Sequence, residues 1–203
     1  MEIHEAAAKI NAIWAHVARV ERFRGYRPLT VASTGLIGLF AAFAQAWVLP
    51  IPIANVDAYL NIWLAVAATS IVLVGLELCG SYLRTSSRLE RQLLLQAVRQ
   101  FVPCLCAGAL FTWIIADHHP DSIVLLPGLW AICFSLGIFA SVPYVTPAVI
   151  WVALYYLLAG SLCLATGDGA AALHPWLMGG TFGLGQLLMA VILLLAEERR
   201  YVP

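Results

Sequence analysis

Six long apolar segments, separated by short polar interruptions, leave this chain few ways to fold. They run approximately Leu29–Leu49, Tyr59–Gly80, Phe101–Ala116, Ser122–Ser141, Pro147–Thr166 and Pro175–Ala196. Most reach the roughly 20 residues that carry a helix across a hydrocarbon core of about 30 Å. The third is shorter. In lipid a backbone must satisfy its own hydrogen bonds, and segments of this length do so as helices, not as barrel strands. Composition agrees: 62% of the 203 residues are hydrophobic and 11% charged, against about 25% charge in a soluble domain. The fold class expected is all-α: a polytopic six-transmembrane-helix bundle forming one membrane domain over residues 1–203.

Orientation follows from the basic residues. Lys9, Arg19, Arg22, Arg24 and Arg27 precede the first span, Arg84, Arg88, Arg91 and Arg99 lie between the second and third, and Arg199 and Arg200 follow the sixth. All eleven fall on one side of a six-span arrangement, and the other side carries Asp57, Asp117, Asp121 and Asp168. The positive-inside rule makes the basic side cytoplasmic, with both termini in. Trp47, Trp63, Trp113 and Trp176 lie toward the outer span ends and Tyr26, Tyr82, Tyr144 and Tyr201 toward the inner ends, the placement of interfacial aromatic belts. The N-terminus lacks a basic signal region ahead of an early apolar run, so the first span is expected to drive insertion. Ten of the eleven basic residues are arginine, which correlates with a GC-rich bacterial genome and so with a bacterial inner membrane.

Two further segments are amphipathic. Residues 1–27 place Ile3, Ala7, Ile10, Trp14 and Val17 at helical spacing, and residues 82–100 do the same with Leu89, Leu93, Leu94, Ala97 and Val98. Both are expected to be helices at the cytoplasmic face or extensions of the neighbouring spans. Each basic residue near an anionic leaflet contributes about 1 kcal/mol, so membrane lipids are the first partners expected. The spans then form three hairpins over residues 29–80, 101–141 and 147–196. Spans four and six share Pro-x-Leu-x4-Phe-x-Leu-Gly, at Pro127 to Gly137 and Pro175 to Gly185, a weak sign of repetition. Pro28, Pro103 and Pro147 each follow shortly after an aromatic and are expected in first helical turns, where a missing donor costs nothing.

Few residues offer chemistry. Glu77 is the single acid within a span, and an intramembrane carboxylate is a functional candidate by default. Its structural alternative is snorkelling or pairing with an arginine, Arg84 lying seven residues on. Gln186, near the middle of the sixth span, is the second candidate for an intramembrane polar site, either as an interhelical hydrogen bond or as a ligand contact. Gly179 and Gly183 form a small-xxx-small pair that suits close helix packing. Gln45 and Asn61, near outer span ends, are expected to meet water. Asp117, His118, His119, Asp121 and His174 make an acidic, imidazole-bearing outer face with weak potential for a divalent cation. The five cysteines lie in apolar stretches without a CxxC pair and are expected to pack as small apolar groups.

No histidine lies deep in a span, and no GxSxG, P-loop, zinc set or dinucleotide fingerprint is present, so no cofactor, nucleic acid or catalysis is expected. Glu197 and Glu198 adjoin Arg199 and Arg200 as an interfacial charge cluster. The leading expectation is a non-enzymatic structural, regulatory or sensory subunit that acts through a membrane or cytoplasmic protein partner or as a homo-oligomer. The competing expectation is a small transporter or channel for a cation or small solute, with Glu77 and Gln186 along its path.

Overall fold

In the computed structural model, which describes residues 27–167 and 169–198, six helices are long and apolar enough to cross a membrane. The described residues are helical or in connections, with no strand among them. We label the helices α1 (Pro28–Val48), α2 (Val56–Arg84), α3 (Arg88–His118), α4 (Leu126–Ser141), α5 (Ile150–Thr166) and α6 (Pro175–Glu198). Short 3-10 turns extend α4 to the span Pro120–Tyr144 and α5 to Pro147–Thr166. The amphipathic segment expected over residues 1–27 lies, apart from Arg27, outside the described residues, as do Arg199 and Arg200.

Local sequence explains where the helices begin. Pro28 opens α1, with its missing N–H at a position that has no intrahelical acceptor. The Asn55 side chain caps α2 by accepting the Ala58 N–H at 3.0 Å, with Asp57 in the first turn. Ser87 caps α3 by accepting the Glu90 N–H at 3.4 Å, in the Ser-x-x-Glu pattern of a capping box. That early cap makes the segment expected as an amphipathic linker part of the third span, in one 31-residue helix. Pro103 therefore lies inside α3, not in its first turn. The helix starts well upstream of the apolar run, at a cap that hydropathy does not mark.

The helices are unequally buried. Half of the apolar window of the fourth span is buried, against 6% for α2. The fourth helix is the hub, packed most extensively on α3 and α5. Gly128 and Gly160 let α4 and α5 approach: a Cβ on either would lie 2.9 Å from the other's carbonyl oxygen. Ser135 Oγ donates to Ala153 O at 2.7 Å across the same interface. Ser141 Oγ to Ala97 O at 3.3 Å and Trp130 Nε1 to Thr112 Oγ1 at 2.8 Å tie α4 to α3 near its two ends. The first helix packs chiefly on α6, so helices adjacent in sequence are not always the closest in space.

The second helix is the loose element. It buries Tyr59, Leu60 and Trp63 at one end and reaches α1 again through Glu77 at the other. Between those points it stands away from the remaining helices, and its contact with α3 is slight.

Candidate functional site

The gap beside α2 is a cavity of about 270 Å³. Ser70, Ile71, Val74, Gly75 and Leu78 line it from α2, and Val98, Phe101, Val102 and Leu105 from α3. Its inner wall is made by Val31 and Thr34 of α1, Phe134 and Ile138 of α4, Val152 and Tyr156 of α5, and Gln186 and Met189 of α6. The wall includes aromatic rings in contact: Phe101 and Phe134 stand edge to face with centroids 5.0 Å apart, and Phe134 and Tyr156 are 4.9 Å apart. Such pairs add about 0.5–1.5 kcal/mol to their area burial. They pack this wall closely, while the opposite wall, α2, is held only near its ends.

Most polar groups at the cavity already have partners. Thr34 Oγ1 donates to Val31 O at 2.7 Å, Ser141 Oγ to Gly137 O at 2.8 Å, and Tyr156 OH to Phe182 O at 3.3 Å. Each of these hydroxyls has already used its proton, so only its acceptor lone pairs remain for a ligand. Gln186 is the candidate that does reach the cavity, behind Gly35, where a Cβ would lie 3.1 Å from the Gln186 Cβ. The site is therefore an apolar space with one amide and the Ser70 hydroxyl at its walls.

Glu77 does not line this cavity. Its carboxylate accepts from Arg27 Nε at 3.1 Å, Ser81 Oγ at 3.3 Å and Thr30 Oγ1 at 3.5 Å. The arginine it meets is Arg27 at the start of α1, not Arg84 on its own helix. Helix pairing decides this, because α1 and α2 run antiparallel and bring Arg27 and Glu77 to one level. Charge-assisted contacts of this kind are the strong ones, so Glu77 is an ion-pair partner of α1 and not a lone acid.

Gly179 and Gly183 turn toward α1. A Cβ on Gly179 would lie 2.6 Å from Ala42 Cβ, and one on Gly183 would lie 2.7 Å from Leu39 Cγ. The two glycines both fall in a π-helical turn, Gly179–Leu184. Its wider winding displaces carbonyls from their usual partners, and Tyr155 OH donates to Gly180 O at 2.6 Å. Downstream of the turn, Gly185 seats the Tyr156 ring, whose Cζ would be 2.5 Å from a Cβ there.

Asp117 and His118 are 3.4 Å apart but largely exposed, and among the described residues no three His, Cys, Asp or Glu side chains are placed to hold a metal ion. His119, Asp121 and His174 are exposed separately. The expected acidic imidazole face thus stands as exposed side chains with no metal-ligand set among the described residues.

Two other expectations are corrected. Gln45 is fully buried and does not meet water: it accepts Trp63 Nε1–H at 2.7 Å and donates from Nε2 to Leu173 O at 3.1 Å. Trp63 is correspondingly buried, unlike the exposed Trp47, Trp113 and Trp176. Proximity to a span end misled in both cases, because the segment before α6 folds over that end. The reciprocal pairing of an amide and an indole on neighbouring spans was the available signal. Nearby, the buried Tyr59 hydroxyl has no hydrogen-bond partner among the described residues.

Compared with protein-family models, curated proteins and solved structures, the chain matches none of them.

Proposed function

We propose that this chain is a non-enzymatic regulatory or sensory subunit of the bacterial inner membrane, inserted with both termini cytoplasmic. The observation that carries the reading is the apolar cavity between a closely packed aromatic wall and the loosely held α2. A hydrophobic ligand between them changes which positions of α2 are favoured, and differential affinity for those positions is all that a population shift requires. The outward side of α2, where Gly80 has no neighbour within 4 Å, is open to a partner helix or a second copy that senses that shift. Small residues permit such close approach.

The competing reading, a cation or solute transporter, needs an acidic or polar path between helices. Against it stand the pairing of Glu77 with Arg27 and the absence of Glu77 from the cavity. Proteoliposomes holding the purified chain should pass protons and potassium no faster than protein-free vesicles, and Glu77→Gln should leave that baseline unchanged. A flux that Glu77→Gln abolishes would replace the subunit reading with the transport one.

A further inference from the structure

We infer that the crevice between α2 and α3 holds an acyl chain of an anionic phospholipid, whose phosphate sits at the arginines on the same end of those two helices. The inference rests on the cavity being a ligand site, and it names the ligand.

Size and wall chemistry select hydrocarbon. At about 270 Å³, the space lies just below the range of ligand pockets, about 300–1,000 Å³. A partner helix, roughly 10 Å across, does not enter it. Water in a cavity needs about two to four polar partners per molecule; the hydroxyls of Thr34, Ser141 and Tyr156 already donate to carbonyls, which leaves Ser70 and Gln186 as the remaining polar side chains on an otherwise apolar wall. The crevice also opens sideways. Ile71 on α2 and Val102 on α3 both line it, yet are 53% and 43% exposed. In a bilayer that opening faces lipid, so the occupant enters from the membrane and not from water.

Charge selects the head group. Arg91 stands seven residues before Val98, on the same stripe of α3, about 10 Å along the axis toward the arginine-bearing end. Its Nε donates to Thr85 O at 2.8 Å and its guanidinium carbon lies 5.1 Å from the Tyr82 ring centroid. Those contacts hold the guanidinium at the closed end of the α2–α3 angle, with its terminal N–H groups available for a phosphate. Arg84, Arg88 and Arg99 are exposed on the same two helices. Against them stand Glu77, already paired with Arg27, and Glu90. The fork of a guanidinium matches a phosphate's oxygens.

Native mass spectrometry of the full chain in mild detergent, after incubation with dioleoyl phosphatidylglycerol or dioleoyl phosphatidylcholine, tests this. The wild-type chain should retain phosphatidylglycerol at least about fivefold more than phosphatidylcholine, the preference that one arginine supplies, and Arg91→Gln should reduce that preference about fivefold. Gly75→Phe should lose the retained lipid, because its ring grows into the crevice from a position with no neighbour within 4 Å. Gly80→Phe, equally open but outside the lining, should retain it. Should Gly75→Phe not fold, Ile71→Trp obstructs the same crevice from its rim. Equal retention of the two lipids, or retention by the crevice variants equal to that of Gly80→Phe, overturns the assignment. Neither result bears on the flux measurement, so the two readings fail separately.

Discussion

Gln45 has no exposed surface at the meeting point of α1, α2 and the segment that precedes α6. Its amide uses both ends, accepting from Trp63 and donating to Leu173 O. Replacing it with leucine keeps the volume and strands an indole N–H and a carbonyl away from water. Leaving buried partners unsatisfied costs about 1–3 kcal/mol, so Gln45→Leu should unfold at a lower temperature in detergent. Asn61→Leu, at an exposed position on α2, should leave the transition within error. An unchanged Gln45→Leu transition would show that the network contributes no net stability. Glu77 illustrates the same dependence on a partner. On the sequence it is a lone intramembrane acid, and in the fold it is half of an ion pair whose other half is distant in the chain.

Among the elements, α6 shows how glycine position decides packing. Gly183 faces α1, with Leu39 Cγ and Gly35 O at 2.7 and 3.3 Å from a Cβ placed there, whereas Gly180 faces open space. Gly183→Leu should destabilise the chain by about 1–3 kcal/mol, the usual cost of overpacking a fitted contact, and Gly180→Leu should be close to neutral. Thermal unfolding of the two variants in one detergent decides it; equal effects would mean that the α1–α6 contact is not close. The glycine pair was legible in the sequence as a packing face. What it packed against was not, since spacing marks a small surface without naming its neighbour. The repeated Pro-x-Leu-x4-Phe-x-Leu-Gly segments likewise converge in space: Phe134 and Phe182 lie 5.8 Å apart, both against Tyr156. Gly137 and Gly185 each receive an aromatic ring, from Phe101 and Tyr156, but these come from unmatched positions in their helices, so the likeness does not extend to a repeated hairpin.

At the scale of the molecule, the proposed working parts are the well-packed helices and the loose α2 that leaves the cavity beside them. Their proposed sidedness rests on the sequence alone, in which the eleven basic residues fall in the segments read as inner and four aspartates in those read as outer. In a cysteine-free background, Ser86→Cys should react with a membrane-impermeant maleimide only after the cells are permeabilised. Reaction in intact cells would reverse the orientation and move the proposed phosphate site to the outer leaflet.

By itself the sequence determined the six apolar helices and the segregation of charge along them, because hydropathy and helical hydrogen bonding are local and act before any helix meets another. Tertiary structure decided that Arg27, not Arg84, meets Glu77, that Gln45 and Trp63 are buried together, and that Gln186 rather than Glu77 borders the cavity. Each depends on which helices pack side by side. In an apolar chain many pairings satisfy the hydropathy equally well, and close contacts such as Gly35 with Gly183 and Gly128 with Gly160 choose among them.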